Sequence, residues 1–298
     1  MIEEGRRQTR PQGRGRLWQS VLTRTAHATR SGALHSFTTE CEVVEQGGLA
    51  FVVRIATDFE RERKAHAEQR PTRANPFLPY EEDLFVAGIS DTHVCLLNKF
   101  NAVAQHVLIV TREFEEQEDP LNLDDFEALW TCLAEIDGLG FYNAGSVAGA
   151  SQRHKHLQLV PLPFGPGPER VPVDPLLSSA APDGGLDTAP GLPFVHAVAR
   201  LGPNLPASPA EAAGHTLKLY REMLRAIGCQ QSSSPYNLLV TRDWMLAVPR
   251  AREAFGSVPV NALGFAGSLF VRNRDDLSFL RRHGPMTILE KVSVSRVG

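Results

Sequence analysis

The sequence predicts an α+β fold made of two related halves, and three observations predict it. Short apolar runs of strand length alternate with longer stretches whose apolar residues recur at helical spacing. A six-residue segment, Leu108-Ile109-Val110-Thr111-Arg112-Glu113, returns almost residue for residue as Leu238-Leu239-Val240-Thr241-Arg242-Asp243. Two related halves giving strands to one structure would explain both that echo and a length of 298 residues. The third observation is a polar row, His154, His156 and Gln158, alternating with Lys155, Leu157 and Leu159 as residues do on a strand with one working face.

In chain order, residues 1–16 form a basic tail with Arg6, Arg7, Arg10, Arg14 and Arg16. No apolar segment follows it, so it is not a secretory signal and reads as a frayed end. Residues 17–34 suit a helix, opened by Leu17, Trp18, Val21 and Leu22. Gly47-Gly48 is a turn into a strand over 49–55. Residues 59–73 are crowded with charge and read as a solvated loop or helix, or as a cationic arm toward a polyphosphate. A turn-rich approach over 75–80 leads to 83–86, then to strands over 93–100 and 106–111.

Asn122 is the expected cap of a helix carrying Phe126, Leu129, Trp130 and Leu133, with Gly138 as its stop. These elements make a catalytic half over 17–164. Residues 165–206 are rich in proline and glycine and read as a surface excursion. The second half, 207–298, opens on a strong helix start: Ser208 as cap, Pro209 in the first turn, and Glu211 to complete a capping box. Gly228 ends that helix, and 236–250 reads as two strands around a polar turn.

With 42% hydrophobic and 22% charged residues the chain can bury a sizeable core. A net charge of −3 is unlike the basic footprint of a nucleic-acid binder, so no nucleic-acid partner is expected. No apolar run approaches the ~20 residues that span a bilayer, so no membrane association is expected either. Four cysteines stand without a Cys-x-x-Cys pair, which argues against a thiolate zinc site and for a reducing cytoplasm.

The polar row admits three chemistries. A His-x-His strand can hold a metal, but no third ligand stands nearby and Gln158 is a poor one. The two histidines can instead be core residues satisfied by carbonyls. The spacing favours a third reading, nucleophilic attack on phosphorus. Neighbours in the row sit roughly 6.5–7 Å apart on a strand, close enough for three groups to address one phosphate. A neutral imidazole would attack through one nitrogen while a carbonyl holds the other N–H. The second histidine would donate to phosphoryl oxygens or the leaving group. Gln158 and the N–H groups of the small, flexible run Gly149-Ala150-Ser151 would carry the charge on the oxygens.

The row resembles the signature of the histidine-triad superfamily in its transferase form, which ends in glutamine. Together with 75–86, Asn98-Lys99-Phe100, 108–111, 141–158, 236–250 and 260–267, the chain resembles the diadenosine tetraphosphate phosphorylase (ATP adenylyltransferase) family. That resemblance implies a histidine-triad-like fold with an antiparallel sheet and flanking helices. It implies phosphorolysis of diadenosine tetraphosphate to ATP and ADP, reversibly, through an adenylyl-His156 intermediate flanked by His154 and Gln158.

By the same resemblance Asn98, Lys99, Asn143, Gly149, Ala150, Ser151 and Gln152 would contact nucleotide or phosphate, as would Asn261, Ala262, Leu263, Ser268 and Arg272 from the second half. Ser268 and Arg272 stand where the family has methionine and lysine, which keeps the charge at 272 and puts the apolar contact at 268 in question. Arg61 or Lys64 would take the place of a phosphate-binding lysine. The expected ligands are diadenosine tetraphosphate, ATP, ADP and phosphate, with Mg²⁺ brought by the nucleotide and no protein-caged metal. A monomer or small homo-oligomer is expected. The competing functions are a sugar-1-phosphate nucleotidylyltransferase, a dinucleoside polyphosphate hydrolase and a non-catalytic nucleotide sensor. An intact His156 speaks against the sensor, because binding alone needs no nucleophile.

Overall fold

Unbroken burial along the central strands requires cover on both faces of a sheet, and the computed structural model shows what supplies it. It describes residues 15–37, 39–56, 75–178, 185–202, 205–231 and 233–296. Residues 1–14 of the tail and the whole charged segment 59–73, with Arg61 and Lys64, lie outside the described residues.

The first half forms α1 (Arg16–Ser31), β1 (His35–Ser36), β2 (Thr39–Gln46), β3 (Leu49–Ala56), β4 (Phe85–Gly88), β5 (His93–Leu97), β6 (Phe100–Asn101) and β7 (Val107–Thr111). It continues with α2 (Leu123–Glu135), β8 (Gly138–Asn143) and β9 (His156–Pro161). Then come α3 (Asp174–Leu177), β10 (Leu186–Asp187), β11 (Ala197–Arg200), α4 (Pro209–Ala226), β12 (Tyr236–Val240) and β13 (Trp244–Pro249). The chain closes with β14 (Ala254–Phe255), β15 (Val258–Pro259), α5 (Ala262–Phe265), β16 (Ser268–Val271), α6 (Arg274–His283) and α7 (Pro285–Val292).

Nine strands make one antiparallel sheet in the order β10-β11-β13-β12-β8-β9-β7-β5-β4. The two echoing segments lie in it at matching places, β7 beside β9 and β12 beside β8. One face is covered by α1, α2 and α4, where Cys95, Ile109, Leu157, Leu159, Leu238 and Met245 meet Leu17, Phe126, Leu129, Leu133, Leu217 and Tyr220. Gly140 is glycine for this packing, because a Cβ there would meet the Leu129 side chain at 2.6 Å. The opposite face is covered over β8, β12 and β13 by the sheet β16-β3-β2 and the C-terminal helices, through Phe51, Val53, Phe265, Leu269, Leu280 and Leu289. Over β5 and β7 it carries only a small cluster of Phe77, Val94, Leu96, Leu108 and Val110. Among the described residues no helix is long and apolar enough to cross a membrane.

Four local expectations need correction. Residues 165–206 do not simply run over the surface. Their β11 pairs with β13 inside the main sheet, with Val198 and Ala199 fully buried; a strand of only four residues, two of them alanine, in a proline-rich stretch is hard to see in the sequence. The helix α2 ends at Glu135 on an extended Ile136, so Gly138 opens β8 instead of stopping the helix. Ser208 caps α4 by accepting from the Glu211 N–H, without the reciprocal bond of a full capping box. The strand β2 was not expected, because Glu40, Glu42 and Glu45 interrupt its apolar pattern; it lies at a sheet edge, where such residues meet water.

Candidate active site

The catalytic row begins with how β9 is held. Leu157 and Leu159 point to the helix-covered face, 1% and 0% exposed, and Val160 to the other. Burying each leucine is worth roughly 1.5–3 kcal/mol, and a one-residue slip would reverse every side chain. The register follows: His156 lies opposite Val110, and Gln158 between Leu108 on β7 and Phe141 on β8. His156 and Gln158 therefore share the Val160 face, at the border between its two apolar clusters.

His156 is buried, and its Nδ1 lies 2.8 Å from the His154 carbonyl oxygen. A carbonyl only accepts, so Nδ1 carries the proton and Nε2 presents a lone pair. Burial pushes the imidazole pKa down to about 4, against the opposing hydrogen bond to the His154 carbonyl and with a smaller downward push from the His154 ring, so the ring is neutral at pH 7. Gln117 fixes the backbone beneath it. Its Oε1 accepts from the His156 N–H at 2.8 Å, and its Nε2 donates to the Asn143 and His156 carbonyls. Phe77 packs on both rings, 5.3 Å from His156 and 5.6 Å from His154.

His154 is placed differently from the expectation that it donates to the phosphate. Its Nε2 lies 2.9 Å from the Thr111 carbonyl oxygen and 2.9 Å from Thr111 Oγ1, while Nδ1 accepts from the Asn75 amide at 3.0 Å. Both nitrogens are thus engaged by the protein, and burial lowers the ring's pKa. In this geometry His154 orients the carbonyl that holds His156.

Behind the row, Lys155 turns to the opposite side and is 1% exposed. Its Nζ pairs with Asp125 at 2.8 Å and Glu115 at 2.9 Å, and Asp125 also accepts from His93 Nε2 at 3.0 Å. Burial opposes both charges, and the pairing outweighs it: Asp125 is held below the usual carboxylate range and Lys155 above its usual value. Asp125 further completes the capping box of α2 with Asn122. One carboxylate therefore ties the helix to the strand that carries the histidines.

The small-residue run follows a 3₁₀ turn at Ser146–Ala148. Gly149 has φ +92°, and a Cβ there would lie 2.9 Å from the Asn261 backbone; only glycine allows that approach. Here the second half meets the first. Asn143 Oδ1 accepts from the Ala262 N–H at 2.9 Å and from Asn237 Nδ2 at 2.8 Å. Asn261 caps α5 by accepting from the Leu263 N–H. The structure thus brings Asn143, Gly149, Asn261, Ala262 and Leu263 together, with Ala150, Ser151 and Gln152 continuing the loop into His154.

Asn98 lies across a turn from His106, its Nδ2 3.1 Å from His106 Nδ1. His106 is buried, its Nε2 has no hydrogen bond of good geometry, and burial pushes its pKa down to about 4 against the opposing influence of the Gln158 amide. Lys99 pairs with Glu81 at 2.6 Å. Ser268 and Arg272 stand apart, on β16 and just after it, where Arg272 binds Asp276 and the Ser257 carbonyl.

Sequence reasoning missed the individual roles of Gln117, Asn75, Thr111, His106 and Phe77. Gln117 is the one that carried a local signal, an amide in a run otherwise made of carboxylates.

Comparison with known proteins agrees with this arrangement. Residues 7–179 match the model of the Ap4A phosphorylase N-terminal domain, and residues 190–295 match that of the ATP adenylyltransferase C-terminal domain. The chain is 30% identical to Diadenosine 5',5'''-P1,P4-tetraphosphate phosphorylase 2 of Saccharomyces cerevisiae, over 89% of this chain and 90% of the relative. It is 26% identical to Protein APA1 of the same yeast, over 72% and 74%. The fold superposes on the crystal structure of yeast Ap4A phosphorylase Apa2 in complex with AMP with a TM-score of 0.78, at 23% identity, covering 99% of this chain and 98% of that one. A histidine held neutral on an antiparallel sheet, a glutamine two residues on, and both halves matched in order place this chain in the Ap4A phosphorylase family, whose members are nucleotidyltransferases.

Proposed function

We propose that this chain cleaves diadenosine tetraphosphate by phosphorolysis, giving ATP and ADP through an adenylyl-His156 intermediate. The observation that carries the reading is the His156 tautomer, with Nδ1–H fixed on the His154 carbonyl and a neutral Nε2 beside Gln158. In the first step Nε2 attacks the α-phosphorus of one adenylyl group. A P–N bond forms, the P–O bond to the bridging oxygen breaks, and ATP leaves with the electron pair. The imidazole carries a positive charge in the intermediate, which the His154 carbonyl at Nδ1 stabilises. In the second step a phosphate oxygen attacks the same phosphorus, the P–N bond breaks, and ADP departs with His156 neutral again.

In this loop the Gly149 and Ala150 N–H groups donate to the Ser146 and Gly145 carbonyls, so the Ser151 and Gln152 N–H groups are the ones offered to the phosphoryl oxygens, and the Gln158 amide adds a donor. Asn98, Lys99, Asn143, Asn261, Ala262, Leu263, Ser268 and Arg272 are the nucleotide contacts in this reading. The polyphosphate arrives with Mg²⁺ as part of the substrate. A reducing cytoplasm suits Cys95, Cys132 and Cys229, buried as free thiols.

Incubation with diadenosine tetraphosphate, with and without phosphate, tests the reading. ATP and ADP in equal amounts, formed only with phosphate, are expected. Products that form without phosphate would make the chain a hydrolase, and no products at all would make it a binder.

A further inference from the structure

Arg250, the residue after β13, is 3% exposed. It belongs to no ion pair among the described residues. Each of its five N–H donors meets a neutral oxygen. Nε donates to the Val292 carbonyl at 3.3 Å, and Nη1 to Asn237 Oδ1 at 2.6 Å and to the Ala148 carbonyl at 3.1 Å. Nη2 donates to the carbonyls of Arg252 at 2.7 Å and Glu253 at 3.2 Å. The Phe265 ring lies 5.5 Å from the guanidinium carbon. Hydrogen bonding is complete, yet no carboxylate among the described residues lies within ion-pair distance; burial lowers the pKa to about 10, and the more distant charge of Glu253 offsets this only in part.

A buried cation without a carboxylate partner is costly to hold, and proteins keep such groups paired. The bonds of Arg250 show where a partner would enter. Ala148 immediately precedes Gly149, and Asn237 donates both to the same Ala148 carbonyl and to Asn143 Oδ1. The guanidinium thus sits directly behind the loop that, in the reading above, receives phosphate. Low-dielectric surroundings strengthen its field at that loop.

We infer that Arg250 is a positioning residue for the anion loop, and that its unpaired charge gives the loop its affinity for phosphate groups without touching them. This rests on reading Gly149 to Gln152 as the phosphate cradle. A scaffold role alone would predict that removing Arg250 weakens every ligand alike. The charge role predicts a loss confined to anions.

The test is calorimetric titration of the full chain with inorganic tripolyphosphate and with adenosine, in wild type, Arg250→Gln and Arg250→Lys, with melting temperatures recorded. Arg250→Gln is expected to weaken tripolyphosphate at least tenfold, about 1.4 kcal/mol, and to leave adenosine within twofold. Arg250→Lys, which keeps the charge, is expected to stay within threefold for both. Unchanged tripolyphosphate binding in Arg250→Gln, or equal losses for both ligands, would overturn the inference. If Arg250→Gln does not fold, the lysine variant decides, and a tenfold loss of tripolyphosphate in it would overturn the inference. Should wild type bind tripolyphosphate but not adenosine, with the tenfold loss in Arg250→Gln, the nucleotide reading fails and the role of Arg250 stands.

Discussion

An imidazole attacks phosphorus only while it is neutral, and only through a nitrogen that carries no proton. Both conditions at His156 come from neighbours: the His154 carbonyl takes the Nδ1 proton, and burial keeps the ring uncharged down to about pH 4. The rate of AMP transfer to the protein, measured in a single turnover without phosphate, should therefore be flat from pH 8 to about 5.5 and fall below pH 4. A midpoint near 6.5 would mean a solvated imidazole. Stability should respond in the same direction. The unfolded histidines protonate near 6.5, well above the folded values of His156 and His106, so stability is lost as pH falls from about 6.5 toward 4. The neighbouring Gln158 cannot shuttle a proton as a third histidine would. Gln158→His should raise phosphate-independent cleavage, and intact phosphorolysis with no gain in hydrolysis would contradict that role.

At the scale of elements, the polar row was legible because a strand has period two and Leu157 and Leu159 demand the opposite face. What oriented the row was not. Asn75 reaches His154 across 79 positions, Gln117 reaches His156 across 39, and Asp125 lies on a different element from Lys155. Apart from the lone amide of Gln117 in its acidic run, nothing local marks such pairs. The helix start at Asn122 was legible as a cap, but the same capping box hides a second use, since Asp125 also holds Lys155 between the two histidines. Asp125→Ala leaves that buried ammonium with Glu115 and the Pro120 carbonyl, and removing one member of a buried pair costs about 3–5 kcal/mol. Urea unfolding should show a loss of that order, with turnover reduced as well. A loss below about 1 kcal/mol would mean that the network does not anchor β9.

Across the whole molecule, the echo between 108–113 and 238–243 pointed to two halves, and the sheet joins them: β12 of the second half pairs with β8 of the first. The join was not readable from composition, because β11 lies hidden in the proline-rich segment and the family boundaries fall between 179 and 190. A chain cut after residue 164 would expose the β8 edge and the Leu139, Phe141 and Val160 surface. Such a fragment should be unfolded or aggregated, while the full chain should unfold in one transition by circular dichroism; a soluble, folded fragment would contradict the shared core. The binding loop, the second-half contacts and the tautomer lock all converge on one covalent species at one nitrogen. Mixtures of the full chain with adenine-labelled diadenosine tetraphosphate, quenched in alkaline detergent, test it most directly. The account predicts protein-bound AMP that is acid-labile, base-stable and discharged as ADP by phosphate, and its complete loss in His156→Ala. Label that persists in His156→Ala would contradict it.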